Sequence, residues 1–155
     1  MTQVIASEPS KISLYERDLN LWLEQAISQL KSGDFHNLDV VNLIEELEGL
    51  AGRDRRELKS RLRTLLEHLL KRIYINLPEC FNGWEITIRE QRSQLEDIFE
   101  QSPSLKAIWE EAFNSAWRSA LKNTCQEYRN FTFPDAWQFS HDIDSLLTID
   151  FWEEI

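Results

Sequence analysis

From Leu105 to Tyr128 the apolar residues return every three or four positions without a gap: Leu105, Ile108, Trp109, Ala112, Phe113, Ala116, Trp117, Ala120, Leu121, Thr124, Tyr128. That spacing follows the helical period and not the two-residue alternation of a strand. Ser102 is placed to cap, and Pro103 takes the first helical position, where its missing N–H costs nothing. The pattern predicts a rod of about seven turns, the longest in the fold, closed by Phe133-Pro134. Trp109, Phe113 and Trp117 at this spacing read as core and not as a cofactor box.

The rest of the chain repeats the theme with shorter stripes. Ser13-x-x-Glu16 is a capping box that opens a helix carrying Tyr15, Leu19, Trp22, Leu23, Ala26, Ile27 and Leu30. Lys31-Ser32-Gly33 stops it. A second helix starts near Asn37 or Asp39 with the stripe Val40, Leu43, Ile44, Leu47, Leu50 and Ala51. Gly52 is expected to break it. Asp54-x-x-Glu57 then reads as the start of a third helix reaching about Ile75, with Leu58, Leu62, Leu65, Leu66, Leu69 and Ile73 inward. The two helices fold back as an antiparallel hairpin, or run on as one bent helix through Gly52. Leu77 to Gly83 reads as a loop after Pro78, and Asn82-Gly83-Trp84-Glu85 as the capped start of a fourth helix. A short helix after Ser140 carries Ile143, Leu146 and Leu147, and Ile149, Phe151 and Trp152 form an anchor. The expected fold is therefore all-α, a compact bundle of five or six helices in a single domain, with residues 1–12 as a loose tail.

Composition fits that reading. Among 155 residues there are 4 Gly and 4 Pro, against 6 Trp and 8 Phe for the core. The two cysteines form no disulfide framework or zinc spacing. No signal-peptide start or membrane-length apolar run is present, so a cytoplasmic protein away from the membrane is expected. The net charge of −10 disfavours nucleic acid as a partner. Charge is uneven, however: residues 53–72 hold 8 basic and 3 acidic side chains.

Several polar residues border the stripes. Asp39, Asn42, Glu45 and Glu46 form a polar set on the second helix, with Asp39, Asn42 and Glu46 on one border of its stripe. Arg61, His68 and Arg72 flank the third, with Lys71 beside them. A hairpin would bring carboxylates to imidazole and guanidinium, the materials of a metal-assisted hydrolytic site. Interhelical ion pairing uses the same residues and is the favoured reading, because one histidine without ExxH or HExxH spacing is a poor ligand set. Thr87, Gln91 and Arg92 approach the inner side of the fourth helix, where a buried Arg92 would fork to Glu45 or Glu46. Arg56, Lys59 and Arg63 form a ladder suited to phosphates, or a solvated face. Neither a metal nor another cofactor is expected.

The residues resemble a bacterial family known as domain of unknown function 29. The resemblance rests on Leu38-Asp39, Asn42 to Glu48, Arg55 to Leu58, His68 to Lys71, Gly83-Trp84, Thr87-Ile88, Gln91-Arg92 and Pro103 to Leu105, together with Trp22 and Phe133-Pro134. The family pattern often has Ser where this chain has Gly83. The resemblance implies an all-helical fold and names no activity. The expected function is a binding or regulatory module acting through protein contacts, with the hydrolase and nucleic-acid binding as alternatives.

Overall fold

The structure is a computed structural model and describes residues 12–155. Among these residues it holds six α-helices, two 3-10 segments and no strand. The chain divides into two compact units, one ending at Ala51 and one spanning Gly52–Ile155. Apart from Ile12, the expected tail lies outside the described residues.

The first unit opens with α1 (Leu14–Arg17), capped as expected by Ser13, whose hydroxyl accepts from the Glu16 N–H at 3.4 Å. This box closes one turn only. Asp18 leaves helical geometry, and its carboxylate accepts from the Leu21 N–H at 3.0 Å to start α2 (Leu19–Ser32). A short carboxylate gains more at a cap than inside a helix, so one expected helix becomes two. Gly33 ends α2 with φ 75°, the left-handed conformation that glycine adopts without steric cost.

Next comes α3, Val40–Tyr74, a single helix of 35 residues. Of the two expected courses it takes the continuous one and not the hairpin: the helix runs on through Gly52, and Asp54 to Glu57 lie inside it instead of capping another. A glycine within a helix costs about 1 kcal/mol, far less than a stop needs. No proline lies in α3, and Gly52 has no positive φ. The following turns bury Leu58, Leu62, Leu65, Leu66, Leu69 and Leu70 completely, and each such side chain contributes roughly 1.5–3 kcal/mol. Continuity is the cheaper solution.

Pro78 begins α4 (Pro78–Gln101), where a loop up to Gly83 was expected. Proline at the first position needs no N–H partner, so the residue that ends one helix starts the next. Ser102 separates α4 from a 3-10 segment, Pro103–Ile108, but its side chain makes no capping bond. The helix α5 proper is Trp109–Glu127, 19 residues, so the expected long rod is wound more tightly at its start and α3 is the longest instead. Tyr128 already leaves the helix, well before Phe133-Pro134. The last helix, α6 (Ile143–Thr148), is capped by Asp142, which accepts from the Ser145 N–H at 3.1 Å.

Packing in the second unit centres on the α3 leucines, met by Trp84, Ile88, Leu95 and Phe99 of α4 and by Trp109, Ala112, Phe113, Ala116, Trp117 and Ala120 along α5. Two indoles fasten the returning chain: Trp109 donates to the His141 carbonyl at 2.7 Å and Trp117 to that of Asp135 at 3.3 Å. Phe151 is fully buried and Trp152 half-buried, which is the expected anchor. Gly49 lies within α3, and a Cβ placed there meets nothing within 4 Å. Gly49→Ala is therefore expected to stabilise the fold by about 0.5–1 kcal/mol, read as a higher thermal midpoint with unchanged or greater helicity.

Candidate functional site

Of the carboxylates singled out from sequence, Asp39 and Glu46 are engaged within the first unit. Asp39 accepts from the Asn42 side-chain amide at 2.7 Å and from its N–H at 3.3 Å, and these bonds hold its pKa below the usual carboxylate range. Glu46 accepts from the Tyr15 hydroxyl at 2.5 Å. That bond, with the neighbouring negative charge, pushes the Tyr15 pKa up to about 12. Tyr15 also meets Trp22 edge-on at 4.9 Å. Tyr15, Trp22 and Asp39 line a hollow of about 200 Å³. Glu45 is exposed. Sequence reasoning counted Tyr15 as stripe and missed its hydroxyl. The signal was there, since a half-buried phenol needs a partner.

His68 belongs to the second unit, 22 residues beyond Glu46 on one unbroken helix, or about six turns. The carboxylate and imidazole therefore lack the hairpin that was to bring them face to face. Among the described residues no three His, Cys, Asp or Glu side chains gather as a metal site would require. His68 Nδ1 donates to the Thr64 carbonyl at 2.9 Å, which fixes the tautomer because a carbonyl only accepts. Burial lowers its pKa, so the ring is neutral at pH 7.

Lys71 is buried and pairs with Glu127 at 3.1 Å, its ammonium 5.7 Å from the centre of the Tyr128 ring. Arg92 is buried too, but its partners are not Glu45 or Glu46. Its Nε donates to the Leu146 carbonyl at 2.8 Å, one terminal nitrogen donates to the Ile149 carbonyl, and the other lies 3.4 Å from Asp150. The guanidinium thus satisfies carbonyls at the end of α6, which have no helical N–H donor left. Gln91 is buried beside it in sequence and accepts from Arg61 at 3.5 Å.

The ladder on α3 is partly compensated. Lys59 pairs with Glu111 at 3.2 Å and Arg63 with Glu67 at 3.8 Å. Arg56 has no carboxylate partner among the described residues.

Apolar exposure is the least even property of the chain. Among the described residues, 11 of the 13 exposed large hydrophobic side chains lie before Gly52, while the buried apolar residues there are only Trp22 and Ala26. Val40, Ile44 and Leu47 follow the helical repeat on α3, with Val41 beside them 78% exposed; Leu19, Ile27 and Leu30 do so on α2. Among the described residues no helix is long and apolar enough to cross a membrane.

Two measurements test this geometry. Glu46→Gln is expected to return the Tyr15 phenol toward about 10, followed by ultraviolet titration against Tyr15→Phe. Because the folded-state value is raised, the stability Tyr15 contributes is full below the unfolded pKa and disappears as pH climbs through about 12. Arg92→Leu strands two carbonyls and is expected to cost about 2–4 kcal/mol in urea denaturation, with the helical spectrum retained at low urea.

The family model described as "Domain of unknown function DUF29" matches residues 14–152, nearly the whole described chain. No curated protein and no solved structure matches it. The span takes in the carboxylates of α3, His68, Lys71, the Gln91-Arg92 pair and the α6 anchor alike, and the chain belongs to the DUF29 family.

Proposed function

We propose that this protein is a binding or regulatory module whose N-terminal unit docks a partner through protein contacts. The observation that carries the reading is the apolar surface of α2 and the first turns of α3, where nine large apolar side chains are exposed while Trp22 and Ala26 are the buried ones. Exposed large apolar side chains concentrated in one unit are what an interaction face presents. Buried, those side chains would supply the hydrophobic centre that interfaces share with protein interiors.

The charge around the face selects the partner. Residues 12–51 carry eight acidic side chains against Arg17 and Lys31. Glu45, Glu46 and Glu48 sit between the exposed apolar positions of α3, and Glu24 stands on α2. A fitting occupant is an amphipathic helix with an apolar face and basic margins, laid along the stripe as helices lie in grooves. Opposed charges at the rim would speed encounter and reject acidic competitors. A second copy of the unit brings the same negative margins and is the poorer match.

The test uses a designed amphipathic peptide of leucine and lysine, with a leucine-glutamate twin as control, followed by Trp fluorescence and calorimetry. Saturable binding of the basic peptide, weakened by salt and lost in the Val41→Asp, Leu47→Asp double variant, is the expected result. Equal binding of the acidic twin, no binding at low salt, or a dimer already covering the face in sedimentation would overturn the reading. Both substituted residues are exposed, so the variant should keep its helical spectrum.

A further inference from the structure

A separate feature of the second unit has the makings of a small-ligand site. On α3, Arg53, Arg56, Ser60, Arg61 and Thr64 follow one another at helical spacing, and with Glu57 and Gln91 of α4 they line an open hollow of about 540 Å³. We infer that this hollow binds a small phosphorylated molecule, its phosphate held by the arginine guanidinium groups and the Gln91 amide.

Donors dominate the lining. Three guanidinium groups face one carboxylate, and that carboxylate is already occupied, because Glu57 lies 3.7 Å from Arg61. Arg53 and Arg56 have no acidic partner among the described residues, in a protein whose net charge is −10. Unpaired arginines in an acidic molecule that could neutralise them are where an external anion gains most. The planar fork of each guanidinium matches phosphate oxygens better than an ammonium does.

Gln91 is the element a solvated helix face would not need. Only 8% of it is exposed; its Oε1 accepts from Arg61, which turns the amide to present its nitrogen as a donor, and no acceptor for that nitrogen is found among the described residues. The nitrogen is not sealed from water, so it stands at the wall of the hollow as a free donor, open to an acceptor that enters beside the three cations. Gly52 contributes by absence. A Cβ there would come within 3.1 Å of an Arg56 terminal nitrogen, so the missing side chain lets that guanidinium lie close against the α3 backbone. The volume exceeds what a lone ion fills and falls in the range of small-molecule sites, about 300–1,000 Å³. A phosphate monoester with an organic body fits both the charge and the size.

The probes are inorganic phosphate, O-phosphoserine and serine at constant ionic strength set with chloride, read by calorimetry and by NMR of the arginine side chains. Saturable shifts at Arg53, Arg56 and Arg61 with phosphate or phosphoserine, and none with serine, are expected. A response to both anions assigns the site to the phosphate group itself, and a response to phosphoserine alone assigns it to the ester. The Arg53→Gln, Arg56→Gln double variant should weaken binding roughly tenfold or more, as loss of two charge-assisted contacts requires. Arg118→Gln, exposed on α5, should leave it unchanged. No shift beyond that of chloride, or equal affinity in the double variant, would overturn the assignment.

Discussion

The row of leucines on the inner face of α3 is the constraint to which the second unit conforms. Leu58, Leu62, Leu65, Leu66, Leu69 and Leu70 are all withdrawn from water, and at roughly 1.5–3 kcal/mol each they outweigh every local signal on the same helix. They keep the backbone helical through a glycine and a capping sequence. They also fix where α4 and α5 lay their aromatic rows. Lys71 follows directly in that row, so its ammonium has to leave the core by way of Glu127 and the Tyr128 ring.

Much of this was legible in the chain. In the second unit the 3.6-residue period named the buried faces correctly, since Leu62, Leu69, Trp109 and Trp117 are all inside, whereas in the first unit it marked Leu19, Ile27, Leu30, Val40, Ile44, Leu47 and Leu50, which are exposed. Ser13 and Gly33 did what their chemistry suggests. The failures at helix ends share one cause. Asp54 and Asn82-Gly83 look like helix starts, and Gly52 like a stop, but a capping residue acts only where the backbone leaves helical geometry, and tertiary burial kept it helical there. Asp18 is the converse, a cap overlooked because the stripe ran across it. Arg92 shows the limit most clearly: its burial was readable, but its acceptors are carbonyls 54 and 57 residues away, and no side-chain pattern announces a carbonyl.

The polar residues singled out from sequence divide accordingly. Lys71 and Arg92 are structural, each satisfied inside the fold. Asp39 caps and Glu46 holds Tyr15. Lys59 and Arg63 have acidic neighbours, while Arg53, Arg56 and Gln91 keep unspent donor capacity. The first unit is the opposite case. Near the ~40-residue length below which a core rarely suffices alone, it spends its apolar side chains on its surface.

The reach of Arg92 toward α6 also bears on how the protein is made. A chain emerging from the ribosome completes α3, α4 and α5 well before residue 150 leaves the tunnel. Until then the guanidinium has neither its carbonyls nor Asp150, and the pocket that Phe151 fills stands open to water. Native packing of the second unit can close only once residues 146–151 have emerged, so the nascent chain must carry its leucine row through an interval in which holding factors, or its own collapse, have to keep it from neighbouring chains.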